Sequence, residues 1–150
     1  ESFADQILVT TRDLLDFSPS AIHMPFFSPT IEGNAFNKDL NNLRIIHATN
    51  QKKVEGTDSL VRILNDLKKE GFKFDFINVQ NKTYIETMKI LGKSHLSIGK
   101  LKMGDYANFQ VESMYLGIPV ITYVRKDILE RFSSILLSQS LFLYSLGNHK

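Results

Sequence analysis

The chain contains no cysteine and no tryptophan among its 150 residues, and only four prolines. The absence of cysteine excludes a disulfide framework and thiolate metal sites, and it fits a reducing compartment, so we expect a cytoplasmic protein. Apolar runs stay well short of the roughly 20 residues that a membrane-spanning helix needs. The N-terminus, ESFADQILVT, lacks the basic-then-apolar order of a signal peptide.

Charge of one sign is also lacking, because 18 basic and 16 acidic residues are spread along the chain. Without a block of like charge, we expect no nucleic-acid partner. The motifs GxGxxG and GxxxxGK[ST] are missing, which argues against dinucleotide dehydrogenases and P-loop NTPases. There is no HExxH, no acidic pair at metal spacing and no DxD, so we expect neither a metal nor a cofactor.

A regular alternation of strands and helices begins at Leu43. Helix signals include Gly71 after one predicted helix, and Thr83 with Glu86 and Asp127 with Glu130 as capping boxes. We predict strands over Arg44–Ala48, 74–79, 95–101, 119–124 and 141–144, and helices over 58–67, 84–91, 108–116 and 127–137. The alternation predicts an α/β fold with a doubly wound parallel sheet of about five strands and helices on both faces.

The part of the chain before this alternation is different in character. Residues 7–10 resemble a strand and residues 12–15 a single helical turn, and Pro19, Pro25 and Pro29 then favour an extended connector. A polar, Asn-rich stretch follows up to residue 42. The chain has no starting Met and begins almost inside a strand, so we expect a fragment of a longer protein.

Two loops carry polar residues at the predicted carboxyl edge of the sheet, where open α/β sheets bind phosphorylated ligands. The first, residues 49–57, contains Lys52 and Lys53, which could hold a pyrophosphate or simply face solvent. The second leads into the helix that carries Glu112, which could accept hydrogen bonds from a ribose or merely complement the helix dipole. Residue types alone leave both alternatives open for each loop.

Taken together, the segments HATNQKKVEGTDSLVRILNDLKKEG, FDFINV and NFQVESMYLGIPVITYV resemble the C-terminal half of GT-B glycosyltransferases of the family 4 ("group 1") type. Members of that family show N-(R/K)-x-x-K-G-(T/M) after the first strand of this half, and later E-G-x-G-x-x-x-x-E-A-M-A-x-G-x-P-V-I. The piece ILVTTRDLLDFSPSAIHMPFF is similar to their last N-domain strand and interdomain connector. The resemblance implies that residues 1–29 end an N-terminal domain and that residues 30–150 form a Rossmann-like donor-binding domain.

The resemblance also implies a function and a site. The full-length protein would be a metal-independent retaining glycosyltransferase, cytoplasmic and peripheral at the inner membrane, that transfers sugar from a nucleoside-diphosphate sugar to a glycan, lipid or protein acceptor. Glu112 would bind the ribose, and with Lys52 it is the residue implied for catalysis. The implied donor-binding residues are Asn50, Lys52, Lys53, Gly56, Thr57, Gln80, Asn81, Gly104, Tyr106, Asn108, Phe109, Glu112 and Ser113.

The sequence departs from the family pattern at two of these positions. Gly104 stands where the family has its first carboxylate, and Glu55 stands where it has a lysine before glycine. Lys53, Lys100 or Lys102 could supply the missing cation. These departures keep open the alternative of a non-catalytic GT-B-like domain that binds a nucleotide or phosphate with a degraded site. A third alternative is a flavodoxin-like phosphate-binding or receiver module, and a receiver is disfavoured because the strand ends lack an acidic cluster.

Overall fold

The computed structural model describes residues 4–24 and 41–130. The strands are β1 (Leu8–Val9), β2 (Ile22–His23), β3 (Arg44–Ala48), β4 (Asp75–Val79), β5 (Leu96–Ile98) and β6 (Val120–Ile121). The helices are α1 (Lys52–Glu55), α2 (Thr57–Lys69), α3 (Tyr84–Leu91), α4 (Asn108–Tyr115) and α5 (Lys126–Glu130), and a 3-10 turn spans Arg12–Asp16. The predictions made for residues 25–40 and 131–150, including a strand at 141–144, lie outside the described residues.

The main sheet has four strands in the order β4-β3-β5-β6, and every neighbouring pair is parallel. The predicted α/β class with a parallel sheet is therefore confirmed. The described part contains four strands in this sheet rather than about five. The chain runs outward from β3 to β4 and then returns across β3 to β5, so the direction of progress reverses between β3 and β5.

Apolar residues of β3 pack on both faces of the sheet, because successive side chains of a strand point to opposite faces. Ile45 packs in a cluster with Leu60 and Leu64 of α2. Its neighbour Ile46 is fully buried in a second cluster, together with Leu91 of α3 and Leu116 after α4. The continuous apolar run of this strand thus reflects burial on both faces by flanking helices.

Local helix signals agree with the structure at two of the three predicted positions. Gly71 follows α2 with a φ of 99°, the left-handed conformation that ends many helices. The Thr83 hydroxyl accepts the backbone N–H of Glu86 at 3.3 Å while the Glu86 carboxylate accepts the backbone N–H of Thr83 at 2.9 Å, which completes the predicted capping box. The box at Asp127 is wrong, because Asp127 lies inside α5 and its carboxylate accepts a hydrogen bond from Arg125.

The strands on one side of the sheet are shorter than predicted. Only Leu96–Ile98 and Val120–Ile121 form the ladder, although the predicted segments were 95–101 and 119–124. Beyond the ladder the chain stays tethered, because the Lys100 carbonyl accepts the backbone N–H of Tyr123 at 3.0 Å. One of the residues beyond the ladder, Lys100, lines a cavity at this edge of the sheet. Short helix α1, inside the first polar loop, was not predicted.

The N-terminal strands form a small parallel sheet of their own, in which Leu8 pairs with Ile22. The contacts that connect this segment to the four-stranded part include a hydrogen bond from the backbone N–H of Arg12 to the Asp105 carboxylate at 2.9 Å and an ion pair between Arg125 and Asp16 at 2.7 Å. Across the described ranges, no helix combines the length and apolar character required to cross a bilayer.

Candidate functional site

A cavity of about 580 Å³ opens at the carboxyl edge of the sheet, within the size range of small-molecule sites, roughly 300–1,000 Å³. Residues that follow β3, β4 and β5 line it, and so do the start of α4 and the N-terminal 3-10 turn. The cavity therefore lies at the point where the connections reverse direction, the position at which open parallel sheets bind ligands. Polar lining residues include Thr49, Asn50, Gln80 and Asn81.

The N-terminus of α4 faces this cavity through Ala107, Asn108 and Phe109. Alanine at the N-cap has no side chain that could satisfy the first backbone N–H groups. Within the described part of the chain, the N–H groups of Asn108 and Phe109 make no hydrogen bond, whereas the N–H of Ala107 donates to the Gln110 side chain at 3.1 Å. These donors, with the positive end of the helix dipole, are suited to an anionic ligand group.

Glu112 reaches the cavity from the second turn of α4, with only 6% of its surface exposed. Burial raises the pKa of its carboxyl, and a hydrogen bond from the Tyr84 side chain acts in the opposite direction. Tyr84 stands at the start of α3 and also lines the cavity. A hydroxyl group already binds this carboxylate, which is the interaction that a ribose or sugar hydroxyl would make.

Asp105 is a second buried carboxylate on the cavity wall. It accepts backbone N–H groups from Arg12 at 2.9 Å, Asp13 at 3.3 Å and Tyr106 at 2.7 Å. Burial raises the pKa of Asp105, although the three N–H groups favour the ionised form. The Oδ1 atom of neighbouring Asp13 is buried without a hydrogen-bond partner. Asp105 therefore fastens the N-terminal turn to the cavity.

Two lysines line the cavity, and they differ in setting. Lys100 is mostly buried, with 26% of its side chain exposed, and its Nζ lies 3.9 Å from Oε1 of buried Glu55. Lys82 is 49% exposed at the rim and pairs with Glu86 at 3.4 Å. Four carboxylates line the same cavity, from Asp13, Glu55, Asp105 and Glu112. The cavity lining thus contains fewer cations than carboxylates, and Lys100 is the less exposed of the two lysines.

The structure brings seven of the sequence-predicted site residues together around the cavity: Asn50, Gln80, Asn81, Tyr106, Asn108, Phe109 and Glu112. The other six do not line it: Lys52, Lys53, Gly56, Thr57, Gly104 and Ser113. The two lysines of this second group are exposed on α1.

Thr57 and Ser113 are bound within the core. The Thr57 hydroxyl lies 3.0 Å from Nε2 of His47, whose Nδ1 donates to the Ile98 carbonyl at 2.8 Å. Nδ1 donates in that contact, because a carbonyl oxygen only accepts, and the Thr57 hydroxyl is the hydrogen-bond partner of Nε2. The Ser113 hydroxyl donates to the Phe109 carbonyl at 2.7 Å. The Thr57 hydroxyl thus joins α2 to β3, and the Ser113 hydroxyl, which also lies 2.9 Å from the Ser97 hydroxyl, joins α4 to β5.

Gly56 and Gly104 both adopt a left-handed backbone conformation, which favours glycine. Gly56 has a φ of 88° between α1 and α2, and Gly104 has a φ of 80°. A Cβ at Gly104 would clash with Cγ of Arg125, so this position is covered by the arginine. The absence of a carboxylate there therefore matches the local packing, and a glutamate could not be placed without moving Arg125.

Several lining residues were missed from the sequence. Thr11 and Asp13 come from the N-terminal turn, about 90 positions before Asp105 in the chain, and no local pattern connects them to the site. Asp105 is an acid shortly before a predicted helix, which is only a weak signal of a site. The spacing of the two carboxylates in the family motif, counted back from Glu112, falls on Gly104 instead. Tyr84 was interpreted only as part of a helix.

Comparison of the chain with protein-family models and with curated protein sequences gave no match. Within the described ranges, no group of three or more His, Asp or Glu side chains is arranged to hold a metal ion.

Proposed function

We propose that this chain is the donor-binding half of a retaining GT-B glycosyltransferase, with a doubly wound, Rossmann-like sheet, and that its cavity holds a nucleoside-diphosphate sugar. One observation carries the proposal. The buried carboxylate of Glu112 and the unpaired N–H groups of Asn108 and Phe109 belong to one helix and face one cavity at the reversal point of a parallel sheet.

Each of these groups matches a different part of a nucleoside-diphosphate sugar by its chemistry. The N–H groups at the start of α4 match the diphosphate, because they offer donors and a positive dipole end without a competing cap. Glu112 matches the ribose, whose hydroxyls would replace the Tyr84 hydroxyl as donors. Gln80 and Asn81, which follow β4 on the other side of the cavity, supply amide groups for a nucleobase.

In the proposed reaction, the protein stabilises the negative charge that develops on the departing diphosphate. Preorganised N–H groups and a lysine provide this stabilisation, an effect that often dominates enzymatic rate enhancement. The acceptor would bind to an N-terminal domain of the full-length, cytoplasmic enzyme, as the family resemblance implies. The fragment alone would then bind a nucleotide and show no transfer.

A second candidate is the non-catalytic relative that binds a nucleotide or phosphate without transferring sugar. The observation that favours it is the charge of the cavity, where four carboxylates face two lysines. Gly104, covered by Arg125, also leaves the sugar without the carboxylate that the family resemblance would place there. Assaying the full-length protein for transfer or hydrolysis of nucleotide sugars separates the two candidates.

Calorimetric titration with UDP, GDP and ADP tests the binding proposal. We expect one of the three to bind, and Glu112→Gln to weaken it about tenfold, as for losing a charged hydrogen-bond acceptor. Glu70→Gln is the matched control, because the same change at this exposed carboxylate at the end of α2, outside the cavity, should leave affinity unaltered. If none of the three nucleotides binds at millimolar concentration, the nucleotide-sugar proposal is wrong.

A further inference from the structure

The charges of the cavity identify where a phosphate can bind. Among the described residues that line it, the two cations are Lys82 at the exposed rim and Lys100 in the interior. The lysines of the predicted phosphate loop, Lys52 and Lys53, do not line the cavity. The cation available to a phosphate inside the cavity is therefore Lys100, which follows β5.

The backbone around Lys100 is held firmly in place. Its carbonyl accepts the Thr122 hydroxyl at 2.9 Å and the Tyr123 N–H at 3.0 Å. The flanking N–H groups are also bound, since Gly99 donates to the Ile121 carbonyl at 2.8 Å and Leu101 donates to the Glu55 carbonyl at 3.0 Å. Less conformational entropy is then lost when Lys100 binds a ligand, because the chain that presents it is already ordered.

The ammonium group itself is only loosely engaged. Its distance of 3.9 Å from the Glu55 carboxylate lies beyond hydrogen-bond range, so its N–H donors remain available. Glu55 has only 10% of its side chain exposed. In this setting a neighbouring carboxylate is weakly screened, and it would repel a phosphate bound to the same lysine.

We propose that Lys100 is the ligand-binding cation for the phosphate group, and that a bound phosphate takes the place of Glu55 as the partner of Lys100. This inference rests on the proposed nucleotide-sugar function, and it specifies which charge selects the phosphate. It predicts opposite effects for the two partners. Loss of Lys100 weakens phosphate binding, and loss of the Glu55 charge strengthens it.

The test measures affinity for inorganic pyrophosphate, UDP and uridine by calorimetry. We expect Lys100→Met to weaken pyrophosphate and UDP binding about 10- to 100-fold. Glu55→Gln, which keeps size and hydrogen-bonding capacity, should strengthen both about threefold to tenfold. Uridine, which has no phosphate, should change less than about twofold in either variant. Lys89→Met is the matched control, because this exposed lysine of α3 does not line the cavity, and its expected change is below about threefold.

Lys100→Met leaves Glu55 buried without a partner and could unfold the protein. The double variant Glu55→Gln/Lys100→Met removes both charges, and it should retain the uridine affinity of the wild type while losing preference for UDP. If UDP binds and neither Lys100→Met nor Glu55→Gln changes its affinity, or both change it in the same direction, Lys100 is not the phosphate cation, and the nucleotide proposal survives.

If pyrophosphate binds in a Lys100-dependent way and no nucleotide binds more tightly, the phosphate assignment stands and the nucleotide proposal fails. Wild-type protein that binds neither pyrophosphate nor UDP overturns both.

Discussion

The two polar loops at the carboxyl edge of the sheet look alike in sequence and differ in structure. Residues 50–57 combine lysines, a glycine and a threonine, yet the lysines face solvent and Thr57 binds His47 in the core. Residues 99–112 present Lys100, the α4 N-terminus and Glu112 to one cavity. Polar composition predicts that both loops lie at the carboxyl edge of the sheet, but the path of the backbone decides which of their side chains line the cavity.

The largest expected effect comes from a glycine in the second loop. Gly104→Ala should lower the free energy of unfolding by about 2–4 kcal/mol, from strain at positive φ and the clash with Arg125. Gly71→Ala is the matched control, because its φ is also positive but nothing lies within 4 Å of the added Cβ. We expect a loss of about 1–2 kcal/mol there in urea unfolding. Equal losses would show that the contact with Arg125 is unimportant.

Thr57→Val tests whether Thr57, at the end of the first loop, stabilises the fold and takes no part in ligand binding. Removing the hydroxyl leaves Nε2 of buried His47 without its partner, so we expect a loss of about 1–3 kcal/mol in the free energy of unfolding. The affinity of the folded variant for UDP should equal that of the wild type, since Thr57 does not line the cavity. A large change in affinity at unchanged stability would place Thr57 in the binding site.

Glu112→Gln should have the opposite effect on stability. Because burial raises the pKa of Glu112, the folded state holds this proton more tightly than the unfolded chain. The wild type therefore loses stability as pH rises from the ordinary value of 4.5 through the raised pKa. We expect the variant to be more stable than the wild type at pH 7 and equal to it at pH well below 4.5. A stability difference that is independent of pH would contradict the role of ionisation.

The smallest effects are expected at the exposed lysines of the first loop. Lys52→Met and Lys53→Met should change the free energy of unfolding by less than about 0.5 kcal/mol. They should change pyrophosphate affinity by less than about twofold, because solvent screens these side chains. The identical substitution at Lys100 provides the comparison. A tenfold loss at Lys52 would restore the role that the family resemblance implied for it.

The sequence predicted the fold better than the site because fold signals are local. The β-branched run at Arg44–Ala48 and the box at Thr83 and Glu86 depend on neighbours within a few residues, and the structure has both. Asp105 belongs to the cavity because it binds the backbone of Arg12 and Asp13, far away in the chain. No local pattern carries that information.

Amino-acid sequence by itself determined the α/β class, the alternation of elements and the position of Glu112 early in a helix, since periodicity and capping act over one or two turns. Tertiary structure decided which polar groups share a cavity. It buried Thr57 and Ser113, covered Gly104 with Arg125, and brought Glu55 beside Lys100. The physical reason is that the parallel sheet places the carboxyl ends of β3 and β5, which are 50 residues apart in sequence, side by side, and only packing selects the side chains that remain accessible there.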